Sequence, residues 1–164
     1  MNIMINTNTS LSLFFVLASL VACDDDAKKY TAEFPRFEPL QLKLAENELP
    51  KVGKSVVVEA PQRKMGKHLY EVTYQWTVSG PAEAVQRYGK SNLYTEHTPA
   101  PTDTITFSQS GRYNIVLVAS YEVSGIGKGQ SFTENFPAKM GSAKYDGSAL
   151  RYRVTLERTI DVDD

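Results

Sequence analysis

The chain has 164 residues, with 18 Lys and Arg against 19 Asp and Glu, for a net charge of −1. That length suits one domain, able to bury roughly 68–70% of the surface it exposes on unfolding. Six acids stand at the two ends: Asp24, Asp25, Asp26, Asp161, Asp163 and Asp164. Residues 27–160 are therefore mildly basic, 18 cations against 13 acids, without the concentrated stripe of a nucleic-acid-binding protein.

Residues 11–22 (LSLFFVLASLVA) are almost wholly apolar and give way to Cys23 and then Asp24-Asp25-Asp26. At ~1.5 Å per residue this run is too short for the ~30 Å hydrocarbon core, so it is not a membrane span. It has the length of a secretory hydrophobic region that ends in small residues at a cleavage point. The ten residues before it hold no Lys or Arg, a departure from the usual positive start of such a signal. Leu20-Val21-Ala22-Cys23 resembles a bacterial lipobox. The resemblance implies a signal peptide over 1–22, cleavage before Cys23, and a membrane anchor through lipid on that residue. A cysteine followed by a short acidic run is similar to the surface-export signal of Bacteroidetes lipoproteins. Asp24, Asp25 and Asp26 would then direct the protein to the cell surface of the outer membrane, with the periplasmic face as the alternative. Cys23 is the sole cysteine, so the fold has no disulfide.

Residues 23–39 read as the lipidated cysteine and an acidic, flexible tether: polar, with Pro35 and Pro39, and without a sustained period. A domain over 40–160 follows, then an acidic tail over 161–164. Within the domain the hydrophobic period is two. Tyr70, Val72, Tyr74, Trp76 and Val78 share one face of a strand, and Glu71, Thr73, Gln75 and Thr77 the other. The last strand repeats this, with Leu150, Tyr152, Val154 and Leu156 inward and Arg151, Arg153, Thr155 and Glu157 outward. Shorter alternations cover 40–44, 55–60 and 104–107. Residues 112–123 carry apolar groups on both faces near Val116 and Val118, which predicts a central strand covered on both sides.

Turn signals separate these runs at 50–53, 61–66, 79–81, 110–111 and 125–129. Helical signal is confined to 82–88, enough for one or two turns. Many short strands with regular turns predict an all-β sandwich.

Tyr74-Gln75-Trp76, then Thr104 to Phe107, then Ser110 to Ala119 resemble the C, E and F strands of PKD-like, immunoglobulin-like domains. The resemblance implies Trp76 in mid-core, Gly111 in the tight E–F turn, and Tyr113 as a corner tyrosine packed over that connection. Tyr74, Trp76 and Tyr113 are thus the expected structural core. Trp76 to Gly80 departs from the Trp-x-Phe-Gly-Asp-Gly turn of PKD repeats, and segments 80–103 and 124–149 exceed that family's loops. The family motif is structural and supplies no functional residue.

No catalytic or metal-binding pattern emerges. His68 and His97 stand apart, and Glu71, Glu96 and Asp103 are scattered carboxylates. Gly125 to Gly129 lacks the phosphate-loop spacing, and no helix follows it. No cofactor is expected. Two segments carry binding potential. One is the basic turn with Arg63, Lys64 and Lys67, suited to an anionic glycan or an acidic protein surface. The other is the long loop with Tyr88 and Tyr94, whose rings can stack on sugars or anchor a partner. The expected function is non-catalytic binding of a glycan or protein partner at the outer membrane. The alternative is an envelope-tethered protease inhibitor that presents the loops at the end of the sandwich.

Overall fold

A computed structural model describes residues 31–45, 48–81, 85–89, 91–124 and 131–164. Cys23, Asp24, Asp25, Asp26 and the glycine-rich 125–129 lie outside the described residues. The fold is all-β, with antiparallel sheets consistent with a β-sandwich.

The chain enters through β1 (Arg36–Phe37) and β2 (Gln41–Lys43), then β3 (Ser55–Glu59) and β4 (Gln62–Lys64). The long β5 (Leu69–Ser79) is followed by β6 (Val85–Tyr88), β7 (Asn92–Leu93) and β8 (Thr102–Thr106). Then come β9 (Gly111–Val123), β10 (Phe132–Asn135), a 3-10 turn at Pro137–Lys139, β11 (Gly141–Asp146) and β12 (Arg151–Val162). The large sheet runs β10-β11-β12-β9-β5-β6, with β7 also on β5; β2-β3-β8 form a second sheet and β1-β4 a two-stranded one.

Alternation dictates the core. In β9 the side chains of Tyr113, Ile115, Leu117, Ala119, Tyr121 and Val123 are all buried, and their intervening neighbours are not. Register carries that face across the sheet: Trp76 and Leu156 both oppose Leu117, while Val154 and Tyr74 both oppose Ala119. Val56, Val58, Ile105 and Phe107 from the smaller sheet's segments join the same cluster. Trp76 is buried, as expected; burying a large side chain contributes ~1.5–3 kcal/mol. Tyr113 is buried against Phe107, with ring centroids 4.8 Å apart, and its hydroxyl donates to the Gln109 carbonyl at 2.9 Å. Gly111 takes φ +129, where a Cβ would run into the Pro81 ring, so the turn requires glycine. Tyr74 lies on the inner face and is partly buried.

Several expectations fail for identifiable reasons. Tyr70 does not share the inner face with Val72; it is 56% exposed. The ladder skips from Leu69–Val123 to Glu71–Glu122, so Tyr70 is the extra residue of a bulge and Leu69 turns inward instead. Residues 31–39 are not a free tether. Pro35 and Phe37 are buried, β1 pairs with β4, and Glu33 bridges Lys67. The predicted helix is overturned over its described part, since 85–88 form β6 on the edge of β5. The acidic tail begins too early: Asp161 and Val162 complete β12, and Asp163 makes a parallel bridge to Lys51. Val116 and Val118 are half-buried among their own neighbours, and among the described residues no third layer covers that outer face.

Candidate functional site

The two segments singled out for binding meet in space. The Gly66 N–H donates to the Tyr94 hydroxyl at 2.9 Å, and a cavity of 250 Å³ opens among Gly66, Lys67, His68, Leu69, Tyr94 and Glu96. Their chemistry differs from the expectation. Tyr94 is no exposed anchor: it is 7% exposed, and its ring meets Tyr121 edge-on at 5.3 Å. Its own N–H donates to the Tyr70 carbonyl, which ties the loop to the bulge in β5. The phenol therefore belongs to the core, and burial raises its pKa above the usual value of 10.0.

The basic turn is partly neutralised. Lys64 Nζ lies 2.6 Å from one Glu33 carboxylate oxygen and Lys67 Nζ 3.6 Å from the other. The Lys64 hydrogen bond, then the charges of Lys64 and Lys67, hold the Glu33 carboxyl below its ordinary value. Arg63 is exposed in β4. Tyr88 lies in β6 with its backbone opposite Gln75, on a different edge of the molecule's large sheet from β10. The scattered carboxylates do not converge: Glu71 belongs to β5 in the large sheet, and Asp103 to β8 in the smaller one. His68 sits at φ 54, a left-handed conformation that costs a β-substituted residue energy.

A groove of 510 Å³ follows the seam between the sheets, past Leu40, Met140 and Thr159. Arg158 crosses it and donates to the Leu40 carbonyl at 2.5 Å, a brace between the β2 side and β12.

The outer face of the large sheet holds a cluster that sequence reasoning passed over. Register aligns Thr133 with Lys144, Lys144 with Arg153, Arg153 with Ser120, and Ser120 with Thr73. Cross-strand partners share a face, and Tyr145 and Tyr152 are buried on the opposite one, so this row faces outward. Arg151, one step along β12 on the same face, binds Glu122 at 2.7 Å. Asp146 Oδ1 accepts from the Ser148 N–H and hydroxyl and the Ala149 N–H, closing the β11–β12 turn. The Ser148 hydroxyl leads in holding that carboxyl below its usual range. A hollow of 190 Å³ lies among Lys144, Asp146, Ala149, Arg151 and Arg153. The register follows from the turn: counting outward from the four residues Gly147 to Leu150 brings Lys144 opposite Arg153.

No family model, curated protein or solved structure matches this chain.

Proposed function

We propose that the protein is a lipid-anchored, non-catalytic recognition module of the outer membrane, exposed at the cell surface and binding a glycan or protein partner. The Leu20-Val21-Ala22-Cys23 stretch and the acidic run behind it support the anchor and the surface address. The observation that carries recognition is the uncovered outer face of the large sheet, with Val116 and Val118 half-buried at its centre. An antiparallel sheet with one face on the core and one toward water supplies a rigid, broad platform.

The immunoglobulin-like character is part of the same proposal. β2, β3 and β8 correspond to strands A, B and E, and β6, β5, β9 and β12 to C′, C, F and G. The Tyr113 hydroxyl bond to the backbone four residues upstream matches a tyrosine corner. The β10–β11 hairpin is an insertion between F and G that widens the sheet.

The test has two arms. Palmitate labelling of cells should mark wild type and miss Cys23→Ala, and protease shaving should reach wild type but spare a variant with Asp24, Asp25 and Asp26 changed to Ala. The full chain in detergent is then screened on a glycan array and against purified envelope proteins and proteases. Unlabelled wild type overturns the anchor, and tight stoichiometric protease inhibition or substrate turnover overturns non-catalytic recognition.

A further inference from the structure

The geometry points to an anionic polysaccharide, carboxylated or sulfated, as the ligand of the outer face, laid across the strands along the row Thr133, Lys144, Arg153, Ser120 and Thr73. This rests on the recognition function proposed above and names its substrate class.

The first argument is a local cost. Like charges directly opposite in an antiparallel pair are destabilising, and Lys144 stands directly opposite Arg153. Among the described residues neither has a carboxylate at ion-pair distance. Arg151 beside them is taken by Glu122. Asp146 feels the Lys144 charge, but its Oδ1 is held by three hydrogen bonds inside its own turn. An anion between Lys144 and Arg153 relieves the repulsion, and the 190 Å³ hollow beside them has room for an acidic group on a sugar.

The second argument is the length and chemistry of the row. Five strands at ~4.8 Å spacing make a track about 19 Å long, enough for several sugar units. Hydroxyls flank the cations: Thr133 on one side, Ser120 and Thr73 on the other, with Thr73 hydrogen-bonded to Ser91 at 2.6 Å. Such groups donate to and accept from ring hydroxyls while the cations hold the acid groups. A protein partner is disfavoured, because the row lacks the aromatic or long aliphatic anchor that dominates protein interfaces.

Binding is measured by calorimetry on the full chain in detergent, with heparin, polygalacturonate, neutral dextran and polyglutamate as probes. At least one of the two acidic polysaccharides should bind, more weakly as salt rises. The double variant Lys144→Gln/Arg153→Gln should lose about ten-fold or more, since each removed group makes a charge-assisted contact. Lys64→Gln/Lys67→Gln, which removes the same charge from the basic turn, should stay within about two-fold of wild type. The first variant should melt no lower than wild type, because it relieves a like-charge pair. Equal losses in both variants overturn the assignment in favour of diffuse attraction. Binding of polyglutamate alone makes the partner an acidic polypeptide and overturns it too. Dextran bound equally by wild type and Lys144→Gln/Arg153→Gln overturns the anion while recognition stands. Failure of all four probes overturns the inference, and the array and envelope-protein screen then decides separately whether recognition survives.

Discussion

The inner and outer faces of β5, β9 and β12 share one backbone and differ in what they meet. Inward, Trp76, Leu117 and Leu156 line up in one row and are buried against the second sheet. Outward, one residue along, Thr77 and Val116 stand in a row that meets water, with Glu157 opposite. The inner row is a packing device, in which shape and volume decide the energy. The outer row is free to vary in chemistry at little expense in stability, so charge placed there reports on partners more than on the fold.

The largest effect should come from the inner face. Trp76→Ala should lower unfolding free energy by ~3–5 kcal/mol, read from urea midpoints, a large share of the ~5–15 kcal/mol typical of a domain. Alkali tests the same face by another route. Burial pushes Tyr74 and Tyr152 each up to about 12, and Tyr121 well above the usual value of 10.0. Between pH 10 and about 12 the unfolded chain releases phenolic protons that the folded chain keeps, so stability is full below pH 10 and falls as pH rises through that window. Urea midpoints that hold steady from pH 9 to 11.5 would mean these phenols are open to water. Tyr94→Phe should cost about 1–3 kcal/mol, because the buried Gly66 N–H loses its acceptor while the ring packing remains. If Tyr94→Phe matches wild type in stability, that hydroxyl contact contributes nothing and the loop is held by the ring alone. Smallest is Thr77→Ala on the outer face, under ~1 kcal/mol. A midpoint close to that of Trp76→Ala would erase the distinction between the two faces.

Strands with one buried face were legible in the sequence because alternation and burial share the same period of two. That holds for 55–60, 104–107 and 152–156; over 112–123 the strand was legible but its single buried face was not, because Val116 and Val118 are apolar on the outer side. The pattern failed where structure depends on a distant partner. Tyr70 fits the alternation of its neighbours, and only the ladder with β9 reveals the bulge. Pro35 and Phe37 show no period, since their burial is set by β4 and by the aromatic group in which Phe34 stacks on Tyr152 at 4.2 Å. The charges of Lys64 and Lys67 looked available because Glu33, which pairs with both, lies about thirty residues upstream. Ala82 to Tyr88 reads as helical by composition, yet its described part completes the edge of β5, an instance of tertiary pairing overriding weak local preference.

The docking of residues 31–40 shortens the leash. Glu33 is already fixed to Lys67 by reciprocal backbone bonds of 3.0 and 2.9 Å. If Cys23 carries the proposed lipid, the eight steps from it to Thr31 span at most roughly 28 Å even when fully extended. On the proposed anchor, the domain would move within a shell of that depth above the bilayer, with the end carrying Lys64 and Lys67, next to Glu33, nearest the tether. On that proposal the outer sheet face would stay close to the cell surface. A polymer lying over the membrane would meet it there more readily than one approaching from the medium.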